Sequence, residues 1–266
     1  MDREDIKFTV ITVCYNSEKT IQRTLQSIKD QTYKNIEYII IDGGSTDKTL
    51  EIISNYIDIV NILVSEPDNG IYDAMNKGIK LATGDYIGFL NSDDYYTNDI
   101  FEEYSKLLIS KHYDFVYSDT IYYDDNESWT YECNNPKEER FIKFLDKGTQ
   151  FCHQTLYVNK FIFEEIGIFD ERFRISADYD FSLRLFKTTG KTGIYLPTTT
   201  CYFYIGGISS HFFKTRLDEV RVRLNNGYSM INSLYIFLKL CFFYYLQKIP
   251  FMKKVKRIIK KEKVIR

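Results

Sequence analysis

Three short runs decide most of what this chain can become. Phe8–Cys14 (FTVITVC), Ile36–Asp42 (IEYIIID) and Tyr86–Leu90 (YIGFL) are dense in β-branched, aromatic and other apolar residues, and each ends abruptly in polar residues. A segment apolar along its length, rather than at alternate positions, is a strand buried on both faces. Helical patterns lie between the runs. Glu18–Asp30 places Ile21, Leu25 and Ile28 at i, i+4 and i+7, with Ser17 as the expected N-cap. Helices are also expected from about Lys48, carrying Leu50, Ile53 and Tyr56, and over Tyr72–Leu81; Val60–Val64 reads as a further strand. Such alternation implies an α/β fold with a mostly parallel sheet covered by helices on both faces. Ligands of these sheets bind beyond the carboxyl ends of the strands. Three polar clusters fall there: Tyr15-Asn16, Asp42-Gly43-Gly44-Ser45 and Asn91-Ser92-Asp93-Asp94.

The second half is less regular. Phe115–Asp119, Gly193–Leu196 and Thr200–Ile205 read as strands, and Asn159–Ile166 and Tyr179–Thr188 as helices. Asp124–Glu139 reads as a hairpin and loop. No internal repeat or linker divides the chain, so one α/β domain is expected, followed from about Asn225 by an extension. Within that extension Ser233–Phe251 is strongly apolar but interrupted by Lys239, Gln247, Lys248 and Pro250, which disfavours a membrane span. Residues 252–266 carry eight Lys or Arg against one Glu. The remainder of the chain then holds 27 basic against 36 acidic residues. An acidic body with a basic tail argues against a nucleic-acid binder, which would carry its positive charge in a groove of the fold. It favours an interfacial helix plus a polybasic segment on an anionic membrane surface, the alternative being a helix packed on the domain. The five cysteines are scattered without a CxxC pair, and MDREDIKFTV lacks the apolar core of a secretory signal. A reducing, cytoplasmic setting on the inner face of the membrane is expected.

The polar clusters carry the chemistry. Asp93 and Asp94 are hard oxygen donors after a strand and suit Mg²⁺ or Mn²⁺ shared with substrate phosphates, although Asn, Ser and Asp equally suit a turn. Asp42 is placed to accept from a base N–H or a ribose hydroxyl, while the glycines after it permit close backbone approach; the same stretch also suits a tight turn capping the next helix. Neither GxxxxGK[ST] nor GxGxxG is present. Asp178 and Asp180 stand two apart at a helix start, so at most one of them faces a reaction centre.

Taken in order, VITVCYN, IDGGSTD, SEPDNGIYDAMNKGI, GDYIGFLNSDD and ADYDFSLRL resemble the family-2 glycosyltransferases of the GT-A fold, especially bacterial enzymes that build O-antigen, colanic-acid-like and capsular repeat units. The likeness runs from Phe8 to about His211. It implies a GT-A domain over residues 1–224, with a nucleotide-sugar half at 8–120 and an acceptor half at 121–224, and a membrane-associating extension at 225–266. By the resemblance Thr12 and Tyr15 lie against the base, and Asp42 recognises uracil or ribose. Asp68, Asn69 and Ser92 lie near the nucleotide, and Lys77 faces the diphosphate. Asp93 ends the metal-binding DxD motif, joined by Asp94, and His211 completes the metal shell. Asp178 matches the catalytic base. The implied reaction is an inverting transfer from a UDP-sugar to a glycan or lipid-diphosphate-linked acceptor, assisted by Mn²⁺ or Mg²⁺.

The chain departs from the family pattern at Asn91, where the first acid of DxD is expected, at Ala177, where an acid precedes the base, and at Met75, where many relatives carry Arg. His153 in FCHQ is a further residue for donor or acceptor contact, or a core histidine. Two other classes fit parts of the pattern. A nucleotidyltransferase would show a Gly-rich phosphate loop where this chain has CYNSEKT. A sugar-nucleotide-binding subunit without activity would explain the departures, but not the retention of Asp42, Asp93 and Asp178.

Overall fold

The computed structural model describes residues 5–124, 128–131, 151–188, 190–206 and 212–248. Within them runs a mixed sheet of nine strands. β1 (Phe8–Cys14), β2 (Ile36–Asp42), β3 (Ile62–Ser65) and β4 (Tyr86–Phe89) are parallel, in the order β3-β2-β1-β4. β8 (Tyr157–Asn159) continues the sheet antiparallel to β4, and β6 (Phe115–Tyr123) is antiparallel to β8. β9 (Gly193–Tyr204) then runs parallel to β6 and closes against the two-residue β5 (Tyr95–Tyr96). β7 (Ser128–Tyr131) pairs with β6 as the hairpin expected there. The carboxyl ends of β1, β4, β6 and β9 therefore point to one edge.

Successive residues of the central strands feed two separate cores, as a strand buried on both faces must. Ile11, Val13, Ile39 and Ile41 face α3 (Ile71–Leu81) and α6 (Ala177–Lys187). Phe8, Val10, Tyr38 and Ile40 face α1 (Ile21–Lys29), α2 (Thr49–Ser54) and α4 (Ile100–Ser110). The expected core residues Ile21, Leu25 and Ile28 are all buried in the second cluster. Gly78 lets α3 settle onto β1: a Cβ there would lie 2.5 Å from the Ile11 side chain.

Several expectations are corrected. Gly193–Leu196 and Thr200–Ile205 belong to one strand, because Pro197 and Thr198 are taken up in a register shift opposite Ser118 and Asp119. Ser17 does not cap α1 with its side chain. Its carbonyl accepts from Thr20 and Ile21, while its hydroxyl reaches the Ser92 hydroxyl at 2.8 Å. The N-cap of α2 is Lys48, whose side chain makes no capping bond; Asp47, one residue earlier, accepts from the Thr49 N–H at 3.0 Å through Oδ1. α5 (Lys160–Ile166) is capped by Asn159. α4, β5, β8 and α7 (Phe212–Asn225) have no counterpart in the sequence reading.

The C-terminal extension forms α8 (Met230–Lys248), packed on α7 partly through the Phe212 and Tyr244 rings, stacked at 4.0 Å. Met230, Ile231, Leu234, Tyr235, Leu238 and Phe242 of α8 remain exposed. No helix among the described residues is long and apolar enough to cross a membrane.

Candidate active site

A cleft of about 890 Å³ opens where the carboxyl ends of β1, β4, β6 and β9 converge. Tyr15 and Ser17 line it after β1, and Asn91, Ser92 and Asp93 after β4. Asp68 and Tyr72 enter from the loop before α3 and from its first turn, and Asp178 from the start of α6. Tyr122, Phe203 and Tyr204 form the wall at the ends of β6 and β9, and Arg216 and Glu219 of α7 face them.

Asp42 is not part of this lining. It is fully buried at the end of β2, where Oδ2 accepts from the Gly44 N–H (3.2 Å), the Ser45 N–H (3.0 Å) and the Ser65 hydroxyl (2.7 Å). Oδ1 accepts from the Ser45 hydroxyl and, at 3.6 Å, from the Cys14 thiol. Burial opposes its charge, but these donors win and hold the carboxyl below its usual range. Asp42 thus shapes the Gly43–Thr46 loop. That loop in turn grips Asn16: the Asn16 N–H donates to Ser45 Oγ at 2.8 Å, and its Oδ1 accepts from the Thr46 N–H at 2.9 Å. Asn16 is held at a φ of 48°, a left-handed conformation that costs a non-glycine residue about 1 kcal/mol. The result is to present Tyr15 into the cleft, the residue 62% exposed. Gly43 completes this corner: a Cβ would fall 2.5 Å from Asp68 Oδ2 and 3.4 Å from the Tyr15 ring, so the carboxylate and the ring meet over bare backbone.

The NSDD turn separates its two acids. Asp93 lines the cleft; burial raises its carboxyl above the usual range, while its own backbone N–H and the Arg23 guanidinium pull the other way. Arg23 is itself stacked on the Tyr95 and Tyr123 rings. Asp94 points inward and is not brought to the cleft. Oδ1 accepts from the Tyr204 N–H at 2.8 Å and Oδ2 from Gln154 Nε2 at 2.6 Å, and burial pushes its carboxyl well above the usual range. It ties β9 and the 3-10 turn His153–Thr155 to the turn after β4. Asn91, two residues before Asp93, has a buried Oδ1 with no hydrogen-bond partner among the described residues. An amide oxygen and a carboxylate at the cleft edge fit a divalent cation that takes its remaining oxygens from phosphates and water. They do not form a cage by themselves: no group of three His, Cys, Asp or Glu among the described residues could hold a metal. His211 lies outside the described residues.

At the far side, Asp178 Oδ1 accepts from the Tyr72 hydroxyl at 2.9 Å, and Oδ2 stands 3.6 Å from His153 Nδ1. Asp180 turns away, as the spacing requires: it is buried, paired with Arg184 Nε at 2.8 Å and accepting from Asn226 Nδ2 at 2.7 Å. Ala177 is buried in the core beneath the helix start, where an acid would have no solvent.

Thr12, Asn69 and Lys77 are not brought into the cleft. Thr12 is buried in β1 and accepts from the Tyr38 hydroxyl at 3.0 Å. The Asn69 N–H donates to Asp73 Oδ2 at 2.9 Å. Lys77 reaches Glu66 at 2.8 Å, Asp73 at 3.7 Å and the Pro67 carbonyl at 3.2 Å, clamping the loop that carries Asp68. The cations that do line the cleft include Lys19, Arg174 and Arg216. From sequence Tyr72 reads only as a helix residue, and nothing singles out Arg216 or Glu219 because α7 has no clear apolar period.

Fold and cleft define an α/β, GT-A-like protein with a ligand site at a strand-end crevice. The glycosyl transferase family 2 profile matches residues 9–172. The chain belongs to glycosyl transferase family 2 and is a glycosyltransferase. It is 32% identical over 212 residues to a PGL/p-HBAD biosynthesis glycosyltransferase of Mycobacterium bovis, covering 76% of this chain and 79% of that one. It is 29% identical over 236 residues to an uncharacterized glycosyltransferase of Haemophilus influenzae, covering 86% and 93%. Among solved structures it superimposes on S. aureus TarS 1-349 in complex with UDP-GlcNAc with a TM-score of 0.66 at 21% identity, over 87% of this chain and 70% of that one. It matches the mannosyltransferase PcManGT of Pyrobaculum calidifontis, in complex with GDP-Man and Mn²⁺, with a TM-score of 0.61 at 20% identity, over 83% and 64%.

Proposed function

We propose that the protein transfers a sugar from a nucleoside-diphosphate donor, UDP-linked by resemblance, to a hydroxyl of a glycan or lipid-diphosphate-linked acceptor in surface polysaccharide synthesis. The observation that carries this reading is that Asp93 and Asp178, from the ends of different elements, line one cleft. The base of the nucleotide stacks on Tyr15 beside Asp68, and Ser92 holds the strand-end turn in place through Ser17. Asn91 and Asp93 would hold Mn²⁺ or Mg²⁺, which would supply Lewis-acid neutralisation of the diphosphate charge. Asp178 takes the proton of the acceptor hydroxyl on a carboxylate oxygen, while the hydroxyl oxygen bonds to the anomeric carbon and the bond from that carbon to the diphosphate breaks. A single displacement of this kind inverts the anomeric centre. The cleft contributes by holding both reactants in line. The chain rests at the cytoplasmic membrane surface through the exposed apolar residues of α8 and the basic segment after it. This is supported by the absence of any acid from α8 and by the charge of residues 252–266.

The test is a panel of UDP- and GDP-sugars with Mn²⁺ or Mg²⁺ and a lipid-diphosphate-sugar acceptor. Release of nucleoside diphosphate with glycoside formation is expected. Pyrophosphate release would assign a nucleotidyltransferase instead, and binding without turnover a non-catalytic subunit.

A further inference from the structure

The imidazole of His153 has no role in the mechanism above, yet its setting is built. The backbone of the 3-10 turn is fixed from several sides. Gln154 donates to Asp94, its carbonyl accepts from the Tyr96 hydroxyl at 2.6 Å, and the Thr155 carbonyl accepts from the Tyr104 hydroxyl at 2.8 Å. The side chain is about one-fifth exposed and stands between the cleft and a small apolar cavity lined by Phe89, Leu156, Val158, Phe163, Phe169 and Phe181. Nδ1 lies 3.6 Å from Asp178 Oδ2, and Nε2 is buried with no hydrogen-bond partner among the described residues.

We propose that His153 is a positioning residue for Asp178: its Nδ1–H is aimed at Oδ2 while the Tyr72 hydroxyl holds Oδ1, so that the carboxylate is presented to the acceptor in one orientation. The inference rests on the assignment of Asp178 as the base. It follows from the proton inventory of the ring. A neutral imidazole has one N–H. Placed on Nε2, it would bury an unpaired donor and turn the Nδ1 lone pair toward a carboxylate oxygen. Placed on Nδ1, it stands 3.6 Å from that oxygen and leaves only an unmet acceptor on Nε2, the cheaper of the two defects. Burial favours the neutral ring, with the Asp178 charge opposing it. The separation exceeds a hydrogen bond, as catalytic contacts commonly do before substrate tightens them. Among the described residues, the ionisable groups around the pair include Tyr72 of α3 and, on α7, Glu219, which accepts from Arg216 at both oxygens.

Two measurements decide it. Nitrogen NMR of the full chain, labelled at histidine, should show a neutral His153 protonated at Nδ1, with that resonance moving in Asp178→Asn. An Nε2–H tautomer, or a signal indifferent to Asp178→Asn, overturns the proposal without reference to activity. In turnover assays His153→Ala should lower kcat by about tenfold to a hundredfold with donor KM within about twofold. His153→Asn, whose side-chain amide can offer an N–H near the position of Nδ1, should recover most of the rate. A donor KM that rises in step with the loss of kcat in His153→Ala, or no recovery in His153→Asn, overturns it. If wild-type protein transfers no sugar from any donor, the functional reading fails, while the NMR result still decides the pair.

Discussion

Tyr72 and Asp178, 106 residues apart in sequence, meet at 2.9 Å through the tyrosine hydroxyl and Oδ1. The same hydroxyl lies 2.8 Å from the Ile175 carbonyl, so one proton serves both the helix start and the carboxylate it carries. Tyr72→Phe keeps the ring against Phe169 and removes only the oxygen. It should lower kcat by about tenfold and cost about 1 kcal/mol of stability. Paired kinetics and denaturant melts check this, and a variant with full turnover would break the link between the two residues.

Asp178→Asn preserves shape and removes the base. Transfer should fall by about 10²- to 10⁴-fold while donor affinity stays within about threefold. Donor titration by calorimetry beside a product assay separates the two effects; near-normal turnover would refute the assignment.

The neighbouring acids Asp93 and Asp94 should give opposite phenotypes. Asp93→Ala is expected to lose metal-stimulated activity with little change in thermal midpoint. Asp94→Ala removes the acceptor for the buried Gln154 amide and for the part-buried Tyr204 N–H, costing on the order of 1–3 kcal/mol. Activity of Asp93→Ala that survives a chelator would count against its metal role.

Glu37 provides a pH-dependent lock far from the cleft. Burial alone would raise its carboxyl, but the Thr83 N–H and hydroxyl, Thr9 and Lys7 all donate to it and draw it down to about 2 from an ordinary 4.5. The folded state therefore holds the proton less tightly than the unfolded chain. The resulting stability is fully present above about pH 5, and it is lost as pH falls from about 4.5 toward 2. It amounts to roughly 3 kcal/mol. Urea midpoints of wild type and Glu37→Gln should converge as pH drops through that window, and parallel curves would exclude the lock.

Removing the residues after Ile249 should reduce sedimentation with anionic vesicles and leave donor turnover in solution intact. Adding salt to full-length protein should weaken the attachment in the same direction, since the basic segment acts through a screened charge. Undiminished sedimentation of the truncated chain would place the attachment elsewhere.

The long central strands were legible because a doubly buried strand must be apolar along its length: β1 and β2 have the bounds their composition implies. The short strands were not. β5 and β8, of two and three residues, hold no period, and they exist because neighbouring strands need edges to pair with. Pro197 misled the reading of β9, since a proline inside a strand reads as a break until the register shift that accommodates it is seen. Within the site, Tyr15, Asp68, Ser92, Asp93 and Asp178 could be placed at the cleft from spacing and resemblance. Asp42, Asp94 and Lys77 could not, because a motif shows which residue types are needed near a ligand but not which of them support the others. The buried hydroxyls of Ser45 and Ser65 and the backbone N–H of Tyr204 make that choice, and each comes from a distant part of the chain or from a turn not yet folded.

The sheet runs unbroken from β1 through β4, β8 and β6 to β9, so the strand beneath Tyr15 and those beneath Tyr122 and Phe203 belong to one hydrogen-bonded body. Changing the width of the gap between those walls would require rupturing several interstrand pairs at about 1 kcal/mol each. The molecule is therefore a fixed calliper: whatever it accepts is gauged by the side chains at its jaws, and altering its tolerance for a bulkier sugar is a matter of trimming Tyr122, Phe203 or Tyr204 rather than loosening a joint.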